Sequence, residues 1–556
     1  MGALADTREN RKERGAFFTP PEIAQFLADW AVRDAQTRVM DPTCGEAVFL
    51  LAAARNLSAA GATQQEIKKL LTGVDVHRPS LQQSRRLLQE EGFEAQLVES
   101  DFFDLATPSQ IDDHVGWHDV VIGNPPFVRY QQFTGDARAK GLTAALSQGV
   151  RLSQLSSSWA PTLVHATAFL KPGGRLAMVC PAELLTVHYA EPVRRWLRKR
   201  FGSVKLVMFD ELQFQDATEQ VVLLVAEGRG PSDGIIVHHV KDAEELVRSH
   251  ILDGVAATPA SEGKWSDLML PMEDRQLVKG AIAQMDQLED YGTLELGTVT
   301  GANRYFTLTE ATRREYNIDV KHLKPISPPG TRHLKGLTFS RARWEELKLQ
   351  GERVWLLHPE PPARQAGLRK YIAVGEEQAV HEAYKCTVRT PWWRPPAVEV
   401  PDLYFTYMSH RYPRLIGNTS EATLLNSMHA VHLKHGLKRA KGALPLLALN
   451  SATMAGAELI GRAYGGGLLK MEPREAARLP VAGPEALDEA WKVLRDRIGE
   501  FDAALRAGEW WTVTAEVDRV LLKDVLEMHP DEVSRLRDVA ATMRVRRTRQ
   551  TEEHGG

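Results

Sequence analysis

The hydrophobic pattern between Thr19 and about Val225 changes repeatedly from short aliphatic runs to longer amphipathic stretches. Short runs rich in β-branched residues predict buried strands, and apolar positions spaced three and four residues apart predict helices. Their alternation is typical of βαβ units and predicts an α/β fold with a mostly parallel sheet. The predicted strands are 38–40, 71–76, 95–99, 119–122, 174–179, 204–209 and 220–226, and the predicted helices are 21–33, 47–60, 80–91, 158–170 and 192–201.

The pattern becomes less regular beyond residue 228. Residues up to about 290 mix Gly, Pro and Ser with acidic helix formers, and short strands and turns follow from about Leu294. Near the end, one apolar helical stripe is predicted by Leu487, Trp491, Leu494, Ile498, Phe501 and Leu505. We therefore divide the chain into a first domain at 1–245, a connecting region at 246–290, a second domain at 291–484 and a helical segment at 485–556. Basic residues at 544–549 predict a disordered tail at the end of this segment.

The composition is that of an ordinary globular protein, with 556 residues, 43% hydrophobic and 25% charged. No stretch approaches the ~18 to 20 apolar residues of a membrane span, and the polar N-terminus lacks the apolar core of a signal peptide. We therefore expect a cytoplasmic protein without a membrane partner. Cys44, Cys180 and Cys386 are too scattered for a disulfide framework or a zinc site, so no metal is expected. The net charge of −3 neither indicates nor excludes nucleic-acid binding, because a local basic face decides that.

Polar and aromatic residues follow the first four predicted strands. The carboxyl ends of parallel strands meet at one edge of a sheet, where open α/β sheets bind ligands. Gly45 has no Cβ and lets the backbone approach a ligand closely, while Asp75 can accept the hydroxyls of a ribose. Asp101 and Phe102 are placed to meet an adenine amine and ring. The full set is Asp41, Pro42, Cys44, Gly45, Asp75, Asp101, Phe102 and Asn124. Together these residues predict a nucleoside pocket.

The fourth predicted strand ends in the sequence GNPPF. Pro125 and Pro126 have no N–H for a ladder and a fixed φ, so the strand stops rigidly after Asn124. Taken alone, this sequence is as consistent with a rigid turn as with a ligand-binding site at the end of the strand.

Six segments, in this order, resemble the gamma group of S-adenosylmethionine-dependent amino-methyltransferases of DNA: GAFFTPPEIAQFL, DPTCGEAVFL, GVDVH, ESDFFDL, GNPPF and LKPGGRLAMVCP. The resemblance covers nearly the whole chain. It implies a seven-stranded, Rossmann-like methyltransferase domain, followed by an α+β target-recognition domain and C-terminal helices, in a type II restriction-modification system. It also adds Thr19 to the residues expected to bind S-adenosylmethionine. The chain departs from the family at Ala47, where a second glycine is common, and the extra methyl group is expected to narrow the approach to the methionine moiety.

The resemblance implies transfer of a methyl group to the N6 amine of an adenine in duplex DNA. The side-chain oxygen of Asn124 and the carbonyl oxygen of Pro125 would accept the two amine N–H bonds and localise the nitrogen lone pair, with Pro126 holding the corner rigid. The base must be flipped out of the duplex, and Phe127 would stack on it as the last member of the catalytic corner. By resemblance, Phe214 would supply the second stacking face.

Three alternatives stay open. Methylation of cytosine N4 uses the same chemistry and corner. Methylation of a protein glutamine uses a similar corner but leaves the second half of the chain unexplained. An inactive DNA-binding subunit is supported only by Ala47. Cytosine C5 methylation fits poorly, because Cys180-Pro181 reverses the usual order of the nucleophile motif and Cys180 reads as a small core residue.

Basic and aromatic residues are interleaved in the second half of the chain. Lys and Arg can neutralise phosphates while planar groups meet bases, so this region predicts binding to double-stranded DNA. The predicted DNA-binding residues are Arg304, Arg389, Trp392, Trp393, Arg394, His410, Arg411, Arg414, Lys438 and Arg439. There is no room for a nuclease domain ahead of Phe17, so any restriction endonuclease acting on the same site is expected to be a separate protein.

Overall fold

The computed structural model describes residues 19–109, 115–209, 221–249, 256–259, 263–464 and 467–552. The chain forms two compact units, one ending at Pro271 and the other beginning at Met272. This division lies inside the segment 246–290 that the sequence analysis treats as a connecting region.

The first unit is built on one large sheet. Its strands, in chain order, are β1 (Val39–Asp41), β2 (Leu71–Asp75), β3 (Gln96–Glu99), β4 (His118–Gly123), β5 (Leu170–Pro181), β6 (Ser203–Phe209), β7 (Val221–Glu227), β8 (Ile235–Val240) and β9 (Ala256–Ala257). Their spatial order is β3-β2-β1-β4-β5-β7-β6-β8-β9. The five strands β1 to β5 run parallel to one another, whereas β7 is antiparallel to both β5 and β6. All seven predicted strands are confirmed.

The sheet continues beyond the prediction, because β8 pairs in parallel with β6 and β9 pairs with β8. Both added strands lie beyond residue 228, where the mixed composition suggested no sheet. Ile235 and Val240 are buried at the two ends of β8, but its middle residues are only partly buried. Such a strand lacks the continuous apolar run that marks a fully buried strand in a sequence.

Helices follow the strands as βαβ units require. They are α1 (Pro21–Ala31), α2 (Val48–Ala59), α3 (Gln64–Leu70), α4 (Arg78–Glu90), α5 (Gly135–Ser147), α6 (Trp159–Ala166), α7 (Glu183–Thr186), α8 (Glu191–Arg200) and α9 (Ala243–Ser249). Helix α1 begins with a proline, which is favourable there because the first N–H groups of a helix have no partner within the helix. Helix α3 begins with a capping box between Thr63 and Glu66. The five predicted helices are confirmed as α1, α2, α4, α6 and α8.

The second unit combines several small sheets with helices. Its strands are β10 (Asp286–Gln287), β11 (Gly292–Leu296), β12 (Thr307–Leu308), β13 (Leu323–Pro325), β14 (Thr338–Ser340), β15 (Trp355–Leu357), β16 (Leu403–Phe405), β17 (Met408–Ser409), β18 (Leu415–Thr419), β19 (His429–Leu433), β20 (Arg462–Tyr464), β21 (Leu468–Lys470) and β22 (Pro480–Val481). The largest sheet has the order β11-β19-β16-β18-β14, and the others are β12-β15-β13, β17-β21-β20 and β10-β22. This mixture confirms the predicted α+β character.

The helices of the second unit are α10 (Met272–Ala283), α11 (Leu288–Tyr291), α12 (Asn303–Phe306), α13 (Glu310–Glu315), α14 (Arg341–Leu349), α15 (Ala366–Glu377), α16 (Tyr384–Thr387), α17 (Ala440–Leu447), α18 (Ser451–Ile460), α19 (Pro473–Ala477), α20 (Pro484–Leu494), α21 (Ile498–Ala507), α22 (Trp510–Val517) and α23 (Pro530–Glu552). A π-helical segment, Asp518–Val525, follows α22. The apolar stripe predicted near the end of the chain lies on α20 and α21. Its buried members are Leu487, Leu494, Phe501 and Leu505.

The prediction of a disordered basic tail at 544–549 is wrong, because these residues belong to helix α23. Arg547 is buried and forms an ion pair with the equally buried Glu458 of α18, with Nη2 and Oε1 2.8 Å apart. Its guanidinium also donates to the carbonyl oxygens of Gly467 and His410. In a sequence, a run of arginines indicates a solvated segment. The carboxylate and carbonyl groups that accept hydrogen bonds from Arg547 are distant along the chain, so they cannot be located without the fold.

In the described part of the chain, no single helix has the length and apolar character needed to cross a membrane, although α17 and α18 meet that test together as a pair bent by 80°.

Candidate active site

A pocket of about 610 Å³ lies at the carboxyl ends of β1 to β4. It is the edge at which the sequence pattern predicts a nucleoside site, because the four strands are parallel and neighbouring. Eight of the nine residues predicted to bind the cofactor line it: Thr19, Pro42, Cys44, Gly45, Asp75, Asp101, Phe102 and Asn124. The ninth, Asp41, is buried at the end of β1.

The turn after β1 is fastened to the end of β2. Gly45 has a positive φ of 50°, and its N–H donates to Asp75 Oδ2 at 2.8 Å. The N–H of Cys44 donates to the carbonyl oxygen of Val74 at 2.8 Å. A Cβ added to Gly45 would have no atom within 4 Å, so the space over the turn is open. A ligand can therefore approach this backbone closely.

Ala47 also has a positive φ, 64°, which accounts for the glycine common at this position in similar sequences. Its methyl group is buried in a small apolar cluster with Cys44, Leu50, Leu81 and Leu88, and Ala47 is not among the residues that line the pocket. The expectation that this methyl group narrows the approach to the methionine moiety is therefore wrong. The side chain points to the back of the turn, where helix α4 packs.

Asp75 presents a fixed carboxylate at the end of β2. Its Oδ2 accepts the N–H of Gly45, and its Oδ1 accepts the N–H of His77 at 2.7 Å. Each carboxylate oxygen can accept a second hydrogen bond, so two hydroxyl groups can still donate to Asp75. The next residue, Val76, is 70% exposed and lines the pocket, which leaves an apolar surface beside the carboxylate.

Asp101 and Phe102 form the far wall of the pocket after β3. Asp101 Oδ1 accepts the N–H of Phe103 at 3.0 Å, and its Oδ2 lies 3.5 Å from Lys140 Nζ. The ring of Phe102 packs against the buried His165 ring, with centroids 4.7 Å apart. Burial lowers the pKa of His165 to about 4, so this imidazole is an uncharged wall behind Phe102 at neutral pH.

Asp41 connects the cofactor turn to the strand that carries the NPPF corner. Its Oδ1 accepts the N–H of Thr43 at 3.1 Å, and its buried Oδ2 has no hydrogen-bond partner within the described residues. Burial, reinforced by the charge of Asp75, raises the pKa of Asp41 to about 8 against the opposing effect of the Thr43 N–H. A Cβ on Gly123 of β4 would lie only 2.7 Å from Asp41 Oδ1, so this carboxyl group needs a glycine beside it.

Asn124 follows directly after β4 at the border of the pocket. Its side-chain Nδ2 donates to Thr19 Oγ1 at 3.3 Å, and its backbone carbonyl accepts from Thr43 Oγ1 at 3.3 Å. These contacts orient both the amide side chain and the peptide that enters Pro125. Pro126 lines the pocket as well, whereas Pro125 is buried.

Ser158, just before helix α6, holds the other side of the corner. Its Oγ accepts the N–H of Val128 at 2.9 Å and donates to the carbonyl oxygen of Pro126, while its own N–H donates to the Val128 carbonyl at 2.9 Å. This buried serine was not predicted from the sequence, and neither were Thr43 and Thr162 of the pocket. The available signal was a serine at the start of the predicted helix 158–170, which normally indicates a helix cap.

Of the two residues predicted to stack on the base, the structure describes only Phe127. Phe127 is 8% exposed and belongs to the main hydrophobic core of the first unit. It does not line the pocket, and its role in stacking on a base stays a prediction. Phe214 lies outside the described residues. Cys180 is completely buried, in agreement with its interpretation as a core residue.

Several of the predicted DNA-binding side chains are engaged inside the second unit. Arg389 donates to the carbonyl oxygens of Thr300 at 2.7 Å and Trp392 at 2.8 Å, and its guanidinium lies 4.7 Å from the centre of the Phe306 ring. Trp392 and Trp393 are partly buried against the core of that unit. These contacts brace the local fold, and the predicted contacts with DNA stay a prediction.

The remaining predicted DNA-binding residues are on the surface to different degrees. Arg304, His410 and Arg411 are exposed, and Arg414 Nη1 donates to the carbonyl oxygen of Lys335 at 3.1 Å. The other three form ion pairs: Arg394 with Glu360 at 2.6 Å, Lys438 with Asp402, and Arg439 with Asp488 at 2.7 Å. Arg411 is therefore an exposed cation of this set without a carboxylate partner among the described residues.

The chain resembles known proteins along most of its length. Residues 3–204 match the family model described as N-6 DNA Methylase, and residues 262–522 match the model described as the C-terminal domain of the type II methyltransferase M.Eco57I. The type II methyltransferase M.AccI of Acinetobacter calcoaceticus is 22% identical over 480 residues, which cover 84% of this chain and 85% of that protein. The type II methyltransferase M.XamI of Xanthomonas campestris pv. amaranthicola is 22% identical over 496 residues, covering 87% and 88%. Among solved structures, the type IIG restriction endonuclease BpuSI is 14% identical with a TM-score of 0.46, covering 98% of this chain and 68% of that one.

Proposed function

Since the chain is a gamma-type DNA methyltransferase of the kind found in type II restriction-modification systems, with S-adenosylmethionine as its cofactor, we propose that it methylates the N6 amine of adenine in duplex DNA. The observation that carries the proposal is the position of Asn124, which borders the same pocket as Gly45, Asp75 and Asp101. Adenine is favoured over cytosine by the match of residues 3–204 to an N-6 DNA methylase model and by Asn, rather than Ser, at the start of the NPPF corner.

The pocket residues fit S-adenosylmethionine in their chemistry. Asp75 can accept the ribose hydroxyls, and Asp101 can accept the adenine amine, with Phe102 and Val76 as apolar walls for the ring. The open space over Gly45 and the N-terminus of α2 would suit the methionine end, because unpaired N–H groups at a helix N-terminus would stabilise its carboxylate. When bound, the cofactor supplies a methyl group on a sulfonium that is its own leaving group.

The chain itself must make the exocyclic amine nucleophilic and align it. The Asn124 side-chain oxygen and the Pro125 carbonyl oxygen accept the two amine N–H bonds, which draws the nitrogen toward tetrahedral geometry. Thr19 holds the Asn124 side chain, Thr43 holds the Asn124 backbone carbonyl that precedes Pro125, and Ser158 holds the Pro126 carbonyl. Acceptors that are positioned before the substrate arrives need no reorganisation during the reaction. The proton that leaves the methylated nitrogen is acidic, so no strong general base is required.

The target adenine lies outside the reach of this corner while it is stacked in a duplex. The base is therefore flipped into the site, which exposes its ring to an aromatic partner. Phe127 and Phe214 are the proposed stacking residues. The second unit, with its exposed Arg304, His410 and Arg411, is proposed to hold and read the DNA. Methylation of a specific site protects that site from a separately encoded endonuclease.

Mass spectrometry of nucleosides tests the proposed base. Unmethylated bacterial DNA is incubated with the full chain and S-adenosylmethionine, digested to nucleosides and compared with DNA treated with Asn124→Ala. As a matched control, Asn56→Ala removes an asparagine of α2 whose side chain contacts Gln25 and Asp29, away from the pocket lining. We expect N6-methyladenine with the unmodified chain and with the control, and little or none with Asn124→Ala.

Other products would overturn specific parts of the proposal. N4-methylcytosine as the modified base would refute the adenine assignment while keeping the corner chemistry. DNA without any modified base, under conditions in which a glutamine-containing polypeptide becomes methylated, would refute DNA as the substrate.

A further inference from the structure

A second pocket of the first unit lies at the sheet edge opposite the cofactor pocket. Its volume is about 540 Å³, within the ~300 to 1,000 Å³ typical of ligand sites. The lining residues lie just before β4, at the start of β5, at the end of α8 and just after β7. Because β7 is antiparallel to β6, its end at Glu227 lies opposite Ser203 at the start of β6. All four segments therefore meet at the amino ends of the parallel strands.

This pocket is positively charged. Lys171, Lys199, Arg200 and Arg229 line it, and none of the described lining residues is acidic. Lys171 forms an ion pair with Asp119, with Nζ and Oδ1 2.7 Å apart. The other three cations form no ion pair with a carboxylate in the part of the chain that the structure describes. Three like charges around one concave surface attract an anion.

Arg200 is the most constrained of these cations. Its Nη2 donates to the carbonyl oxygen of Thr167 at 2.8 Å, and its guanidinium lies 5.4 Å from the Trp196 ring centre and 5.8 Å from that of Phe201. Burial lowers the pKa of Arg200, and no neighbouring carboxylate offsets this effect. A cation that has lost part of its hydration without gaining a counter-ion becomes more stable when an anion binds to it.

The backbone fixes Arg200 and Arg229 beside each other. The N–H of Gly230 donates to the Arg200 carbonyl at 3.2 Å, and the N–H of Ser232 donates to the Arg198 carbonyl at 2.8 Å. Gly202 lies so close to the second segment that an added Cβ would be 3.4 Å from the Arg229 carbonyl oxygen. These contacts place two cations on adjacent segments before any ligand arrives.

Aromatic side chains form the remaining walls of this pocket. Trp117 is 37% exposed, and Trp196 is half-buried with its ring edge-on to Phe201 at 6.4 Å. Tryptophan surfaces with cations beside them suit a ligand that combines a planar ring with negative charge. A simple inorganic anion would leave these aromatic surfaces unused.

We propose that this pocket binds a nucleotide, with its phosphate on Lys199, Arg200 and Arg229 and its base against Trp117 and Trp196. The site is separate from the cofactor pocket, so it does not depend on the proposed methylation of adenine. The nucleotide can be a free mononucleotide or part of a nucleic-acid strand, because both present the same phosphate and ring.

Calorimetric titration of the full chain tests the site. The cofactor pocket is first saturated with S-adenosylhomocysteine, so that an adenine nucleotide cannot bind there. ADP, the hexanucleotide (dT)6 and pyrophosphate are then titrated in parallel. We expect ADP or (dT)6 to bind more tightly than pyrophosphate, and the tighter of the two identifies the natural source as a free nucleotide or a strand.

Two variants assign the binding to this pocket. Lys199→Ala/Arg229→Ala removes two exposed cations and should weaken nucleotide binding about tenfold or more, because both cations contact the phosphate in the proposed complex. Trp117→Leu should weaken the binding of ADP or (dT)6 but not that of pyrophosphate. The control Lys68→Ala/Lys69→Ala removes the same charge from α3 of the same unit and should leave affinity within about twofold, since exposed charges that touch no ligand contribute little.

Three results would overturn the proposal: no binding of ADP or (dT)6 at millimolar concentration, unchanged affinity in Lys199→Ala/Arg229→Ala, or pyrophosphate binding as tightly as both nucleotides. Methyl transfer by Lys199→Ala/Arg229→Ala, measured on DNA in the same preparation, should match that of the unmodified chain. A failure of the nucleotide site is thereby distinguished from a failure of the proposed methyl transfer.

Discussion

At the scale of single residues, the site depends on side chains that are held in place by backbone groups. Asp75 is fixed by two N–H donors, and Asn124 is fixed by threonines from two different loops. Asp41 differs from both, because one of its oxygens is buried without a partner in the described chain. The carboxyl group of Asp41 is therefore sensitive to pH, whereas the Asn124 corner is not.

Asp41 should make the folded protein less stable as the pH rises. Its pKa is raised from 3.8 to about 8 in the folded protein, so between these values the folded state keeps a proton that the unfolded state releases. The stabilisation is complete below about pH 4 and is lost as the pH rises toward 8, by at most about 1.4 kcal/mol per pH unit. Asp41→Asn keeps an oxygen for the Thr43 N–H and should remove this dependence.

Urea unfolding of the full chain at pH 5, 6.5 and 8 checks the effect of Asp41. The stability of Asp41→Asn relative to the unmodified chain should increase steadily across this series. Two parallel curves, with a constant difference between the chains, would show that Asp41 does not carry a raised pKa.

Asn124→Ala should retain cofactor binding and lose methyl transfer. In the proposed mechanism the side-chain oxygen acts on the amine in the transition state, and removal of one such group typically costs about 10² to 10³ in kcat. The measurements are the kcat on unmethylated DNA and the affinity for S-adenosylmethionine by calorimetry. Turnover that stays within a few fold of the unmodified chain would refute the role proposed for this side chain.

At the scale of elements, helix α6 supports the corner that ends β4. Ser158 joins them through three hydrogen bonds to Pro126 and Val128. Two rigid prolines limit the local conformations of the corner but do not fix its position relative to the sheet. The serine supplies that connection, although no proposed reacting group contacts it.

Ser158→Ala should lower kcat while leaving the affinity for S-adenosylmethionine nearly unchanged. It should also destabilise the protein by about 0.5 to 1.5 kcal/mol, because it removes the side-chain acceptor of the partly buried Val128 N–H. Ser156→Ala is a close control, since the buried Ser156 hydroxyl has no hydrogen-bond partner among the described residues. Equal behaviour of the two variants in kcat and in thermal unfolding would contradict a positioning role for Ser158.

Elements that depend on residues close together in the sequence could be predicted, whereas contacts between distant residues could not. Most of the strands β1 to β7 contain short aliphatic runs, and the pocket follows from the ends of parallel strands, so both could be predicted. Ser158 could not be found, because its partners lie about thirty residues earlier in the chain. Ala47 was misjudged for a related reason. Its sequence position indicates the cofactor turn, but only the backbone direction at φ 64° places its methyl group behind that turn.

At the scale of the whole molecule, many cations of the second unit already form ion pairs or donate hydrogen bonds within that unit. Most of the predicted DNA-binding side chains contact other residues of the same unit. The sequence cannot reveal these contacts, because the partners are distant along the chain. Arg389 and Arg394 illustrate this: Arg389 donates to the carbonyl oxygen of Thr300, and Arg394 forms an ion pair with Glu360. Exposed cations without a carboxylate are the better candidates for DNA phosphates, and Arg411 is the clearest of them.

Arg411→Ala should weaken DNA binding and make it less sensitive to salt. Loss of one phosphate contact reduces the slope of log K against log salt by about 1. Lys321→Ala is a suitable control, because Lys321 is exposed in the same unit and pairs with Asp319. Binding curves at four salt concentrations give the slopes. Identical slopes for Arg411→Ala and the unmodified chain would remove Arg411 from the DNA interface.

Glu458→Gln should destabilise the second unit strongly. It leaves the Arg547 guanidinium buried without its carboxylate, which typically costs about 3 to 5 kcal/mol. Glu489→Gln, an exposed change on helix α20, should have little effect. Thermal unfolding of the two variants provides the comparison. A loss of less than about 1 kcal/mol in Glu458→Gln would mean that water or rearrangement satisfies the arginine.

The same ion pair has a consequence for synthesis on the ribosome. Arg547 closes contacts with Glu458 and His410, and Arg535 of the same helix pairs with Asp274 at the beginning of the second unit, 2.6 Å away. These contacts can form only after residues 535 and 547 have left the exit tunnel. The first unit has all of its strands by residue 257 and can fold during translation. The second unit must wait for these contacts, so a nascent chain can complete the pocket at the ends of β1 to β4 before the second unit is folded.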